Sequence, residues 1–323
     1  MQKILVAAAI AALSVIVGAV AVIAADYPSR PIKLIVPYPP GGGNDVIARL
    51  ISAGMSTGLG QPLVIENRGG AGSTIGTRDT ARSAPDGYTL MVANSTLTIN
   101  PSLYPDAGYD PKKDFAAIGM ITATPSLVLV NPSVPVHSIA ELIAFIRSQP
   151  GKVDFASTGN GASTFLAAEL FAVMANVSIN PVPYKGVAPA LTDLMAGQVP
   201  LMFCPMPSVV GLAKQGQLRP LAVTGAKRSL LFPDLPTVAE AALPGYSADL
   251  HYGLVAPAGT PPDIIAKLNA ALNATLADAN VRDRFATDGA EALPSTPAAY
   301  ADDIAVEEAK WSAVIKKTGV KAE

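Results

Sequence analysis

The chain has 323 residues, 50% of them hydrophobic, and 23 basic side chains against 25 acidic ones, for a net charge of −2. That balance excludes the basic footprint of a nucleic-acid binder. A single cysteine, Cys204, excludes an internal disulfide, and two histidines exclude the common histidine-rich metal sites.

Residues 1–25 read as a leader. Lys3 is followed by an uncharged run to Asp26 that closes on small residues, with Val22 and Ala24 at the −3 and −1 positions of a cut after Ala24. A secretory signal peptide has this form. The run is also long enough for a membrane anchor, but no basic stop-transfer flank follows, and no later stretch reaches the ~20 apolar residues of a span. The ~298 residues beyond it suit two lobes better than one. An exported chain without disulfides, and without a cysteine for lipidation at the cut, is expected in a periplasm.

Strands and helices then alternate. "IKLIVPY" (32–38) reads as a buried strand, and "DVIARLISAGM" (45–55) as a helix with Val46, Ile47, Leu50 and Ile51 on one face. Strands at 62–67 and 88–94 flank a polar helix over 73–83. An extended stretch, 116–132, is broken by Thr-Ala-Thr-Pro. Ser138 and Glu141 then form a capping box on a helix that stops before Pro150. Four short strands follow, at 153–158, 179–184, 199–205 and 218–224, with helices at 163–175 and 188–198. Cys204 lies in the apolar "VPLMFCP" and is expected to be a buried, inert thiol. After a strand at 251–257, Thr260 is placed as N-cap with Pro261 at the first helical position. Ile264, Leu268, Leu272 and Leu276 recur every four residues. A last helix runs from Thr296-Pro297 to Gly319, acidic early and basic late as the helix dipole favours.

The alternation predicts an α/β fold with two sheets in series, mainly parallel, crossed near 120–128 and 222–232. A ligand would lie between them, beyond the carboxyl ends of the strands. Three loops there share one form, a strand, a glycine-rich turn and a helix: "PYPPGGGND" (37–45), "ENRGGAGST" (66–74) and "ASTGNGAST" (156–164). Glycines let main-chain N–H groups approach an anion at a helix N-terminus. Gly41, Gly42 and Gly43, and Gly159 with Gly161 beside Thr158 and Asn160, are therefore candidates to hold one. Asn44 or Asp45 caps the first of the helices. Asn94, Ser95 and Thr96 fall just past a strand, as do Tyr184, Lys185 and Gly186, while Asp249 and His251 open the last strand. Nucleotide motifs fail on spacing. No G-x-S-x-G elbow or metal-ligand set is present, so neither a catalytic residue, a metal nor a cofactor is assigned. A serine–histidine pair through Ser163 or Ser95 with His251 keeps an exported hydrolase as the alternative.

Five stretches carry a resemblance over nearly the whole mature chain: "YPSRPIKLIVPYPPGGGNDVIARL", "VIENRGGAGSTIGT", "APDGYTLMVANST", "VPYKGVAPALTDLMAGQV" and "LPTVAEAALPGYSADLHYGLVAPAGTP". They resemble the solute receptors of tripartite tricarboxylate transporters, the Bug or TctC family. The resemblance implies a two-lobed periplasmic binding protein of type II topology, with residues 26–123 and 228–323 in one lobe and 124–227 in the other. It implies a monomer that closes on a small organic acid and delivers it to membrane permease subunits; a ligand-presenting sensor is a further alternative. Carried over from the family, Tyr38, Pro40, Gly41, Gly42, Ser95 and Thr96 grip a carboxylate, and Thr158 to Ser163 face it from the second lobe. This chain has Ala162 and Phe165 where relatives often carry serine and histidine, and His251 where tryptophan is common. His251 is thereby expected at the ligand's distal end.

Overall fold

The computed structural model describes residues 27–41, 43–104, 106–158, 162–184, 186–287 and 289–320. The leader, Gly42, Gly159, Asn160, Gly161 and Lys185 lie outside the described residues. The strands are β1 (Ile32–Val36), β2 (Leu63–Asn67), β3 (Thr89–Asn94), β4 (Phe115–Thr124), β5 (Ser126–Val130), β6 (Asp154–Ser157), β7 (Asn180–Pro183), β8 (Leu201–Pro205), β9 (Arg219–Val223), β10 (Leu250–Pro257) and β11 (Glu291–Ala292). The helices are α1 (Gly43–Leu59), α2 (Thr74–Ala81), α3 (Thr96–Leu103), α4 (Ile139–Ser148), α5 (Ser163–Ala175), α6 (Val187–Met195), α7 (Val210–Lys214), α8 (Val238–Ala241), α9 (Pro262–Ala277), α10 (Ala279–Thr287) and α11 (Pro297–Thr318).

Two sheets carry a two-lobed α/β fold, ordered β11-β4-β10-β3-β1-β2 and β7-β6-β8-β5-β9. They are mixed, where mainly parallel sheets were expected. Strands β2, β1 and β3 run parallel, as do β7, β6 and β8, each linked through helices as parallel pairing requires. The other pairings are antiparallel. The reason is geometric. Strand β4 leaves the first sheet and β10 re-enters it, so the two, paired along their length, must run in opposite directions.

The first crossing is abrupt: β4 becomes β5 across Pro125 alone. The second comes later in the chain than 222–232. After β9, residues 237–248 fold back onto the second sheet. A full capping box, Thr237 with Glu240, starts α8 there. Val238, Leu243 and Tyr246 join the core of Phe155, Phe171 and Phe203, and the Tyr246 hydroxyl donates to the Ala167 carbonyl at 2.9 Å. The chain crosses only near Asp249. The apolar residues of this segment are too widely spaced to form a periodic signal.

Helix packing follows the hydrophobic periods. Ile47, Ala48, Ile51 and Met55 bury one face of α1 against Leu268, Ala271 and Leu272 of α9. Gly54 permits the close approach, since a Cβ there would lie 2.6 Å from Thr275. Helix α9 starts at Pro262, not Pro261, because the Thr260 hydroxyl donates to the Pro257 carbonyl (2.8 Å) and does not cap. The Ser138 capping box is displaced: Ser138 accepts from Glu141 N–H, while Glu141 accepts from His137 N–H, one residue before the cap. Helix α11, roughly 33 Å long at 1.5 Å per residue, lies across both lobes. Tyr300 and Ile304 pack on the first sheet; Trp311, Val314 and Ile315 belong to the second lobe's core.

Gly253, in the middle of β10, is where α11 comes closest: a Cβ would sit 2.0 Å from the Tyr300 ring. Gly253→Ala is expected to destabilise the protein by about 1–3 kcal/mol through overpacking, seen as a lower urea midpoint, and Tyr300→Ala in the same chain should recover part of the additional loss.

Candidate functional site

The first-lobe site is built on the carboxyl ends of β1 and β3. Its orientation propagates from one carbonyl. Asn44, buried in the first turn of α1, donates through Nδ2 to the Val92 carbonyl at 3.0 Å. A carbonyl only accepts, so the Asn44 Oδ1 must face outward, where Asn94 Nδ2 donates to it at 2.9 Å. That turns Asn94 Oδ1 toward the hydroxyls. It accepts from Thr96 Oγ1 (2.6 Å), Thr96 N–H (3.0 Å) and the Tyr38 hydroxyl (3.2 Å). Tyr38 also lies 2.8 Å from Thr96 Oγ1, and Ser73 Oγ lies 2.9 Å from it. Burial pushes the Tyr38 phenol above its usual pKa, so it remains a neutral hydroxyl. Three donors converge on one oxygen with two lone pairs, so the cluster has a hydroxyl hydrogen to offer an anion.

The glycine turn is held by a side chain. The Gly41 N–H, at φ +84°, donates to Asp45 Oδ2 at 3.0 Å. The same carboxylate accepts from Arg49 Nε at 2.9 Å and from Asn67 Nδ2 at 3.0 Å, and Asn67 Nδ2 also reaches the Tyr38 carbonyl at 3.1 Å. Asn44 and Asp45 therefore lie inside the first helical turn and do not cap it. The Gly41 amide, expected to be bared, is occupied by Asp45. Pro40 and Gly43 are exposed at the rim, and a Cβ on Gly43 would meet the Tyr252 hydroxyl at 2.9 Å.

In the second lobe Thr158 is tied to its own turn. Its N–H donates to Thr164 Oγ1 at 3.1 Å, and the two hydroxyls lie 2.9 Å apart. Ser163 opens α5, and Gly186, at φ 138°, precedes α6. Tyr184 is directed away by a hydrogen bond to Asp193 Oδ2 at 2.9 Å.

Ser95 and His251 form a separate set. Alternation along β10 puts Tyr252 on the α1 face, with Ile47 and Ile51, and His251 on the α11 face. The His251 Nδ1 lies 3.0 Å from Asp303 Oδ2. Burial alone would hold the imidazole below its usual pKa; the Asp303 hydrogen bond, with the charges of Glu307 and Asp303, outweighs it and leaves the value raised. Ser95 Oγ accepts from the main-chain N–H of His251 at 2.9 Å, not from the ring. This differs from the serine–histidine geometry a hydrolase would use. Burial pushes the Cys204 thiol up to about 12, which leaves it inert. Among the described residues no cluster of three or more His, Cys, Asp or Glu could hold a metal ion.

Sequence reading brought forward Tyr38, Asn44, Asn94 and Thr96 but not Ser73, Asp45's role as acceptor, or Asn100, whose Nδ2 donates to the Gly72 carbonyl at 2.7 Å. Ser73 and Gly72 belong to the 66–74 glycine loop. A polar residue following such a loop, opposite the Ser-Thr pair after β3, was the available signal.

The profile of the tripartite tricarboxylate transporter family receptor matches residues 47–320. A curated relative, Protein BugT of Bordetella pertussis, is 40% identical over 94% of each chain. Among solved structures, R. palustris Rpa4515 with adipate superposes with a TM-score of 0.79 at 37% identity, covering 92% of this chain and 99% of that one. MatC from Rhodopseudomonas palustris with bound malate does so with a TM-score of 0.76 at 34% identity, covering 90% and 100%.

Asp45 gives this site a pH signature. The Arg49 hydrogen bond, followed by that of the Gly41 N–H, holds its carboxyl down to about 2, against 3.8 for an ordinary aspartate. A depressed folded-state pKa contributes stability that is complete above the unfolded value and is lost as pH falls through the folded one. Asp45→Asn is therefore expected to be less stable than the parent at pH 5–7, with the gap closing between pH 4 and pH 2, as chemical denaturation across that range would show.

Proposed function

The chain belongs to the tripartite tricarboxylate transporter receptor family, and from that premise we propose that it captures a small organic carboxylate between its lobes for a membrane permease. It is a solute-binding receptor. The observation that carries the ligand class is the hydroxyl cluster at Asn94, where Tyr38 and Thr96 crowd Asn94 Oδ1 and Ser73 joins through Thr96 Oγ1. A carboxylate arriving there accepts a redirected hydroxyl hydrogen, a charge-assisted bond stronger than the one it replaces. Adipate and malate in the related proteins support the same class of ligand here.

The proposed contacts are Tyr38, Thr96 and Ser73 from the first lobe and residues 158–163 from the second, with Pro40 and Gly43 at the rim. Closure would exclude water and strengthen each contact. His251 is left out of this set because its ring is joined to Asp303 on the opposite face of the sheet. The reading involves no reaction; Ser95 Oγ accepts the His251 main-chain N–H, a different pairing from the serine–histidine contact of a hydrolase. A periplasmic location is proposed on the leader-like start, Lys3 followed by an uncharged run to Asp26.

Isothermal titration and thermal shift with mono- and dicarboxylates from C4 to C8 test the proposal. At least one acid should bind saturably. Thr96→Val should weaken it by about tenfold to a hundredfold, the worth of a hydrogen bond to a charged group, roughly 1.5–3 kcal/mol, while His251→Gln changes it less than about twofold. Failure of every acid to bind the parent protein would sink the reading.

A further inference from the structure

A second cavity, of about 330 Å³, opens where the chain crosses between lobes. Its volume falls at the low end of small-molecule sites, roughly 300–1,000 Å³. Pro125 from the first crossing and Asp249 and His251 from the second line it, and none of the loops bearing Tyr38, Asn94 or Thr158 does. Leu231 comes from the second-lobe side, and Ala290 and Leu293 from the turn after α10, so its walls are largely apolar and drawn from both lobes.

Its polar wall carries three acids, Asp249, Glu291 and Asp303, and the donors Lys227, Arg228, Ser229 and His251. Asp249 Oδ1 is fully buried and has no hydrogen-bond partner. It is packed so closely on Gly225 that a Cβ there would come within 2.7 Å. The terminal torsion of an aspartate is soft and close to two-fold, so a modest rotation turns the carboxylate toward the cavity it lines. Asp303 lies beside it, already joined to the His251 ring at 3.0 Å. Arg228 at the rim pairs with Glu240 at 2.8 Å and Lys227 is exposed; the positive charges that act on Asp249 are those of His251 and Lys310. The Ala226 main-chain N–H and the charges of His251 and Lys310 favour the carboxylate, but its Oδ1 has no donor; a buried oxygen left so is costly, and a ligand that brings an N–H donor removes that cost.

We propose that this hinge cavity is a binding site for a small organic cation, a primary ammonium on a compact apolar body, with the ammonium on Asp249 and the body against Leu231, Ala290 and Leu293. The contacts are independent of the carboxylate site. With no metal-holding cluster among the described residues, an organic cation is the occupant that matches both walls.

The test uses the full mature chain at pH 7.5 with cyclohexylamine and its neutral isostere cyclohexanol. The amine should bind saturably and raise the melting temperature, while the alcohol should do neither. Asp249→Asn, which keeps the shape and removes the charge, should weaken the amine at least tenfold. Leu293→Trp, which fills the cavity from an exposed edge, should do the same and decides the matter if the first variant does not fold. Thr96→Val should leave amine binding unchanged, separating this site from the carboxylate site. No saturable binding by the parent, equal binding of the alcohol, or full retention of amine binding by either folded variant would overturn the proposal.

Discussion

Strands β4 and β10 constrain everything else in this molecule. Both belong to the first sheet, where they pair with each other from Phe115 opposite Pro257 to Thr124 opposite Leu250. Strand β4 leads out to the second lobe across Pro125 and β10 begins just after the return near Asp249, so the two crossings leave from the ends of neighbouring, hydrogen-bonded strands. Helix α11 lies across both lobes with Glu307 near its middle. That buried glutamate is joined to Lys310 and accepts from the Trp311 indole N–H at 2.8 Å. Those contacts lie within α11; it is the apolar contacts of Tyr300 and Ile304 on the first sheet and of Trp311, Val314 and Ile315 in the second lobe's core that tie the lobes together through one helix.

The site proposed for the carboxylate illustrates how a neutral surface can be prepared for an anion. No free lysine or arginine is needed among the described residues of the first-lobe cluster. The Val92 carbonyl orients Asn44, Asn44 orients Asn94, and Asn94 gathers hydroxyls whose hydrogens can turn toward a ligand. Hydroxyl rotation costs little, so the cluster is satisfied when empty and complementary when loaded. In the glycine turn the Gly41 N–H is bound to Asp45, so the proposal rests on the side chains around Asn94.

Much of this was legible in the sequence. Strong apolar runs such as "IKLIV" and "SLVLV" are buried nearly throughout, as central strands must be, and Ser163–Ala175 is a helix over the bounds that its composition suggested. Polar residues at strand ends brought forward Tyr38, Asn94 and Thr96, which the fold gathers into one hydrogen-bonded cluster. His251 was expected at the ligand's distal end, and its ring is joined to Asp303; alternation along a strand assigns a face only when the partner of each face is known. Tyr252 and His251 are neighbours in sequence and point to opposite sides of the sheet. The return of residues 237–248 to the second lobe was missed because it rests on Val238, Leu243 and Tyr246, which have no common period.

By itself, then, the sequence determined the alternation of strands and helices, the absence of disulfide and histidine-rich chemistry, the kinship of the chain, and half of the polar cluster at the strand ends, all of which are local or compositional properties. Tertiary structure alone decided which strands pair antiparallel, that Asp45 takes the Gly41 amide, that His251 joins Asp303 52 residues away, and that an unpartnered oxygen of Asp249 lies beside a cavity drawn from both lobes. Those outcomes depend on distances between groups remote in the chain, and no local propensity encodes such distances.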